Sequence, residues 1–95
     1  MSGVYDRDGN PMTFEAYLEA FSDPSNRKVA LDKIGDVEVS TIWLGSDHNY
    51  TSKGPPLIFE TMIFGGPHDY YQERYATLAE AEAGHAFAVA LVKGL

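Results

Sequence analysis

The chain contains no cysteine. Disulfides, thiolate nucleophiles and cysteine-ligated zinc are therefore excluded. No apolar run approaches the roughly 20 residues that a membrane-crossing helix needs. The opening residues, MSGVYDRDGN, have no basic segment followed by an apolar core, so they do not read as a secretory signal. Basic residues are scarce, with 7 Lys and Arg against 14 Asp and Glu and a formal charge of −7. That balance argues against nucleic-acid binding by phosphate neutralisation. It fits a soluble surface or a basic partner. A cytoplasmic protein with no membrane attachment and no cofactor is expected. The Asn49-Tyr50-Thr51 sequon carries no weight without secretion.

What is present points to a globular chain. Of 95 residues, 44% are apolar and 13% aromatic, enough for one modest core and one domain over residues 1–95. Asp8-Gly9-Asn10-Pro11 signals a turn. Thr13 then reads as an N-cap, and Phe14, Tyr17, Leu18 and Phe21 follow at helical spacing up to Ser22-Asp23-Pro24. A strand is expected over Arg27 to Ile34 and another from Val37, with Gly35-Asp36 as a tight hairpin between them. In the second strand Val37, Val39, Thr41 and Trp43 share one face. The polar stretch SDHNYTSKGPP is a long loop leading to LIFETMIF, residues 57–64. Both faces of that run are mainly apolar, as in a strand covered on both sides. YYQERY, residues 70–75, reads as a fourth strand. Thr77 and Glu80 form a capping box that opens a helix to Lys93, stopped by Gly94. Its stripe is Leu78, Ala81, His85, Ala88 and Val92. The predicted fold is α+β: a four-stranded antiparallel meander with an N-terminal and a C-terminal helix packed on it. The C-terminal helix should cover one face and the N-terminal helix an edge or part of the other. If that cover is insufficient, the second face should pair two subunits as a homodimer.

The acid inside the oily run, Glu60, is the most suggestive residue. A buried carboxylate needs a partner. Arg74 on the neighbouring strand could supply a bidentate one, and His48 or His85 are alternatives. Glu60, Arg74 and His85 are thus expected to form a structural polar core. Asp47-His48, His68-Asp69 and His85 could in principle bind a metal or run acid–base chemistry, but their spacings match no metal motif. The segment Asp6 to Glu15 matches a calcium loop poorly, with Val4 at the first ligand position and Pro11 out of place. No G-x-S-x-G elbow is present, and Gly65-Gly66-Pro67 is not a phosphate loop. No catalytic residue and no metal ligand is assigned. Tyr70 and Tyr71 are adjacent, so one of them should face outward. With Asp47, His48 and Tyr50 they form the candidate protein-binding set.

VSTIWLGSDHNY, GPPLIFETMIFGG and ERYATLAEAEAGHAFAVALV resemble small uncharacterised proteins of tailed phages and actinobacterial prophages. VYDRDGNPMTFEAYLEAF is similar to their N-terminal segment, so the likeness covers nearly the whole chain. That family has no established activity, and the resemblance transfers no catalytic residue. It implies a phage-encoded accessory protein in the host cytosol. The leading expectation is non-enzymatic binding of a host protein, with inhibition of a host or defence factor as an outcome. The alternatives are a small metal-dependent or acid–base enzyme using Glu60, His48, Asp47 and His85, or a structural part of the virion.

Overall fold

A computed structural model describes residues 3–94. The elements run α1 (Phe14–Phe21), α2 (Pro24–Arg27), β1 (Lys28–Ile34), β2 (Val37–Trp43), β3 (Phe59–Phe64), β4 (Gln72–Tyr75) and α3 (Leu78–Lys93). The strands form one antiparallel sheet in the order β1-β2-β3-β4, the expected α+β meander. Three boundaries shift inward. Arg27 belongs to α2, which Asp23 caps through Ser25. Leu57 and Ile58 precede β3, although Ile58 already donates its N–H to the Tyr75 carbonyl. Tyr70 and Tyr71 precede β4, and Tyr70 holds a left-handed φ of 75°.

Local chemistry accounts for the breaks. The Thr13 side chain accepts from the Ala16 N–H at 3.2 Å and caps α1, and Pro24 then bars its continuation. Ile34 pairs with Val37 across the two-residue turn, where Gly35 has φ 60° and Asp36 does not turn left-handed. That is the pattern of a II′ hairpin, which needs glycine at its first central position. The α3 capping box is complete at Thr77 and Glu80, and Gly94 ends the helix at φ 76°.

Strand alternation sets up the layers. Val39, Thr41 and Trp43 of β2 and Phe59, Thr61 and Ile63 of β3 point to one face and are all buried. Ala81, His85 and Ala88 of α3 lie against this face, also buried. The alanines keep the helix surface thin, so it seats closely. The apolar core falls into two clusters. Trp43, Ile58, Phe59 and Ala81 form one, with Tyr17, Phe21, Tyr75 and Leu78 around it. Val39, Ile63 and Ala88 form the other, flanked by Ile34, Tyr71 and Val92. Burying side chains such as Phe59 and Ile63 contributes about 1.5–3 kcal/mol each.

The placement of α1 excludes one of its two expected positions, the second face of the sheet. Tyr17 and Phe21 each meet Trp43 at a ring separation of 6.0 Å, on the α3 side of the sheet. The second face is therefore not covered by α1. It carries Leu31, Ser40, Ile42, Glu60, Met62, Phe64 and Arg74 by register, with Leu31 and Phe64 both substantially exposed. Within β3 the side of Phe59, Thr61 and Ile63 is fully buried, while on the other side Met62 is half-buried and Phe64 exposed.

Gly84 faces the Tyr75 ring so closely that an added methyl would overlap the phenol. Overpacking of this kind costs typically 1–3 kcal/mol. Gly84→Ala should lose about that much stability in equilibrium urea unfolding, despite the better helix propensity of alanine. An unchanged or raised midpoint would contradict this close seating of α3.

Candidate functional site

Glu60 stands directly opposite Ile42 on β2 and Arg74 on β4. Its Oε2 accepts from Arg74 Nε at 2.9 Å and from Gln72 Nε2 at 2.8 Å. The residue is only 7% exposed, although it points to the face of the sheet away from α3. The neighbouring long side chains shield it. Arg74 is the expected partner, but the contact is through Nε to one oxygen, with Gln72 sharing that oxygen, rather than a two-oxygen fork. The guanidinium also stands 6.0 Å from the centre of the Tyr50 ring. The charge pair is thus tied to the long loop by a cation–π contact.

His85 lies on the other face, so Glu60, Arg74 and His85 do not form one polar core. His85 Nε2 meets Asp32 Oδ2 at 2.7 Å, and its Nδ1 meets the Thr41 hydroxyl at 2.7 Å. Thr41 in turn hydrogen-bonds Thr61. Both threonines have no exposed surface, and His85 is buried. Asp32 reaches the imidazole from the exposed rim of β1. The arrangement places an acid, an imidazole and a hydroxyl in series, the order of a hydrolytic triad. Here the hydroxyl is sealed beneath α3, where no substrate reaches it, so the series serves packing. Tyr75 ends this band: its Oη is buried without a hydrogen-bond partner. Burial pushes its pKa above the ordinary 10.0, an effect the nearby Thr61 hydroxyl partly offsets without completing a bond.

The remaining candidates separate. Asp47 Oδ1 accepts from the N–H groups of Asn49 and Leu57, at 2.7 and 3.0 Å, and pins both ends of the long loop. His48 Nδ1 contacts the Ser46 carbonyl at 3.0 Å, and its ring lies 5.9 Å from that of Tyr50. Tyr50 is 77% exposed and Tyr70 87%. Tyr71 is a correction to the binding set: it turns inward onto Val39, Ile63 and Ala88, and burial raises its pKa. Asp6 Oδ1 accepts from the N–H groups of Asp8 and Asn10, both at 2.9 Å, forming a plain turn across the stretch that the calcium-loop comparison drew on. Among the described residues no group of three His, Asp or Glu side chains surrounds a common point. A cavity of about 310 Å³ opens between the N-terminal turn and Trp43, lined by Asp6, Arg7, Met12, Ala20 and Asn26 among others. Glu60, His48 and His85 do not line it.

Sequence reasoning missed Asp32, Thr41 and Thr61. The signal was available for the threonines, since alternation placed each on an inward face between large apolar residues. A buried hydroxyl there requires a partner, and His85 was the one polar group in the facing helix stripe. Asp32 gave no such signal, because its role depends on the register of β1 beneath α3.

Comparison of the chain with known families, characterised proteins and solved structures yields no match. Within the described residues no helix is long and apolar enough to cross a membrane.

Glu60→Ala should lower unfolding stability by about 1–3 kcal/mol, because Arg74 and Gln72 are left without their acceptor. Glu60→Gln should recover part of the loss. Full stability in Glu60→Ala would show the carboxylate to be solvent-facing in effect.

Proposed function

We propose that this chain is a non-catalytic binding protein, a phage-type accessory factor that engages a host protein in the host cytoplasm. One observation carries the reading. Glu60 and His85 are spent on internal hydrogen bonds on opposite faces of the sheet, and His48 is held by its own loop, so the three never converge. An acid–base site needs such groups around one open pocket. Large side chains remain outside instead, including Tyr50, Tyr70, Phe14 and Leu18. Exposed aromatic and apolar groups suit recognition of a protein surface. The acidic balance favours a basic partner, and blocking a host or defence factor is the consequence such binding would have. The resemblance of VSTIWLGSDHNY and GPPLIFETMIFGG to phage and prophage proteins supports a host target. The partly open second face, with Leu31 and Phe64 exposed, supports pairing of two copies.

The test is affinity purification of the tagged chain from infected actinobacterial cells, with mass spectrometry and sedimentation of the purified complex. The expected result is one host protein retained near equal stoichiometry, in chelator as well as without it, on a dimeric bait. Retention of no host protein above an untagged control, or recovery of the chain in purified virions, overturns the binding reading. A monomeric sedimentation mass removes the pairing alone.

A further inference from the structure

We propose that the outward side of α1 is the docking ridge of this protein, and that its occupant is a basic amphipathic helix of the partner. The proposal rests on the binding reading above and adds where contact is made and what chemistry it meets.

The fold uses only one side of α1. Tyr17 and Phe21 turn inward to Trp43, and the Tyr17 hydroxyl donates to the Leu44 carbonyl. Phe14 and Leu18 turn outward and remain 60% and 52% exposed, although the Phe14 ring still lies 6.1 Å from that of Tyr17. They stand one turn apart, which makes them neighbours on the helix surface. The N-cap that starts the helix comes from Thr13, so local capping does not explain a phenylalanine at position 14. Glu15 and Glu19, also one turn apart, are exposed beside them. The helix FEAYLEAF contains no Lys or Arg. Two parallel stripes result, one apolar and one acidic.

Charge selects the occupant. Two copies joined ridge to ridge would bring four carboxylates together. Phosphate backbones and anionic bilayers are repelled by the same groups. A protein surface with an apolar stripe bordered by lysine or arginine satisfies both stripes at once. A convex ridge at i, i+4 spacing packs into the groove of another helix. Tyr50 and Tyr70 offer no comparable pair: Tyr50 already contacts His48 and Arg74, and Tyr70 sits alone on a turn.

The probe is a synthetic helix of about 18 residues, five turns, with leucine on one face and lysine bordering it. It is titrated into the isotope-labelled full chain and followed by NMR. A peptide with glutamate in place of lysine is the control. Expected shifts concentrate on residues 13–20. Phe14→Ala with Leu18→Ala should weaken binding about tenfold or more at unchanged Tm, and Glu15→Gln with Glu19→Gln should remove most of its salt dependence. Absence of saturable binding, shifts centred elsewhere, equal affinity in the apolar double variant, or equal affinity for the glutamate peptide overturns the ridge. The two readings fail separately. If the wild-type chain retains a host protein and the Phe14/Leu18 variant retains it equally, the ridge is wrong and the binding reading stands. If the wild-type chain retains none, the binding reading fails whatever the peptide does.

Discussion

The structure depends on how α3 can lie flat on a sheet that presents hydroxyls to it. Thr41 and Thr61 sit between the two apolar clusters, fully buried, and His85 comes down on them from the helix. An unpaired hydroxyl or imidazole in that position would cost roughly 1–3 kcal/mol. The chain Asp32–His85–Thr41–Thr61 removes most of that cost. An ionised carboxylate only accepts, so the Asp32 end assigns a proton to Nε2. The hydroxyls can rotate to match whatever Nδ1 requires. One imidazole thereby links α3 to three consecutive strands, and the alanines around it let the helix approach closely enough for those bonds to form.

The second polar centre is independent of the first because of strand alternation. Glu60 and Thr61 are adjacent in sequence, and adjacency in a strand sends them to opposite faces. Glu60 therefore works with Arg74 and Gln72 on the second face, where Tyr50 adds a contact from the long loop. Each centre is complete on its own side. Groups that could have made a catalytic site are divided by the thickness of the sheet, and exposed large apolar side chains lie on α1, the loops, the second face and, at Phe87, the outer side of α3. That division links the local period of a strand to the proposed function.

Much of this architecture was legible in the sequence. Caps at Thr13 and Thr77, the Gly35-Asp36 hairpin and the α3 stripe follow from short-range chemistry, which local sequence states directly, and the pairing of Glu60 with Arg74 follows from the meander order that sets β4 beside β3. Other features were not legible because they depend on three-dimensional placement. Helical spacing in α1 marked Phe14, Tyr17, Leu18 and Phe21 as one face, yet packing on Trp43 takes only Tyr17 and Phe21. Equal apolarity on both sides of LIFETMIF suggested cover on both sides, but α1 had been placed by its aromatics at the far end of the other face. Tyr70 and Tyr71 were not told apart by alternation, since Tyr70 takes a left-handed φ of 75° in the turn before β4 while Tyr71 packs on the core. The buried hydroxyl band was visible in the inward parity of Thr41 and Thr61, and went unread because threonine is common in strands.

The central imidazole of His85 serves cohesion. The most direct measurement is equilibrium unfolding of His85→Ala in urea, beside Asp32→Ala. His85→Ala should lose about 2–4 kcal/mol, from the cavity and the stranded hydroxyls together. Asp32→Ala should lose less, because its carboxylate is solvated at the rim. A His85→Ala chain as stable as the wild type would contradict that role, and would mean that the imidazole is kept for something other than holding the helix to the sheet.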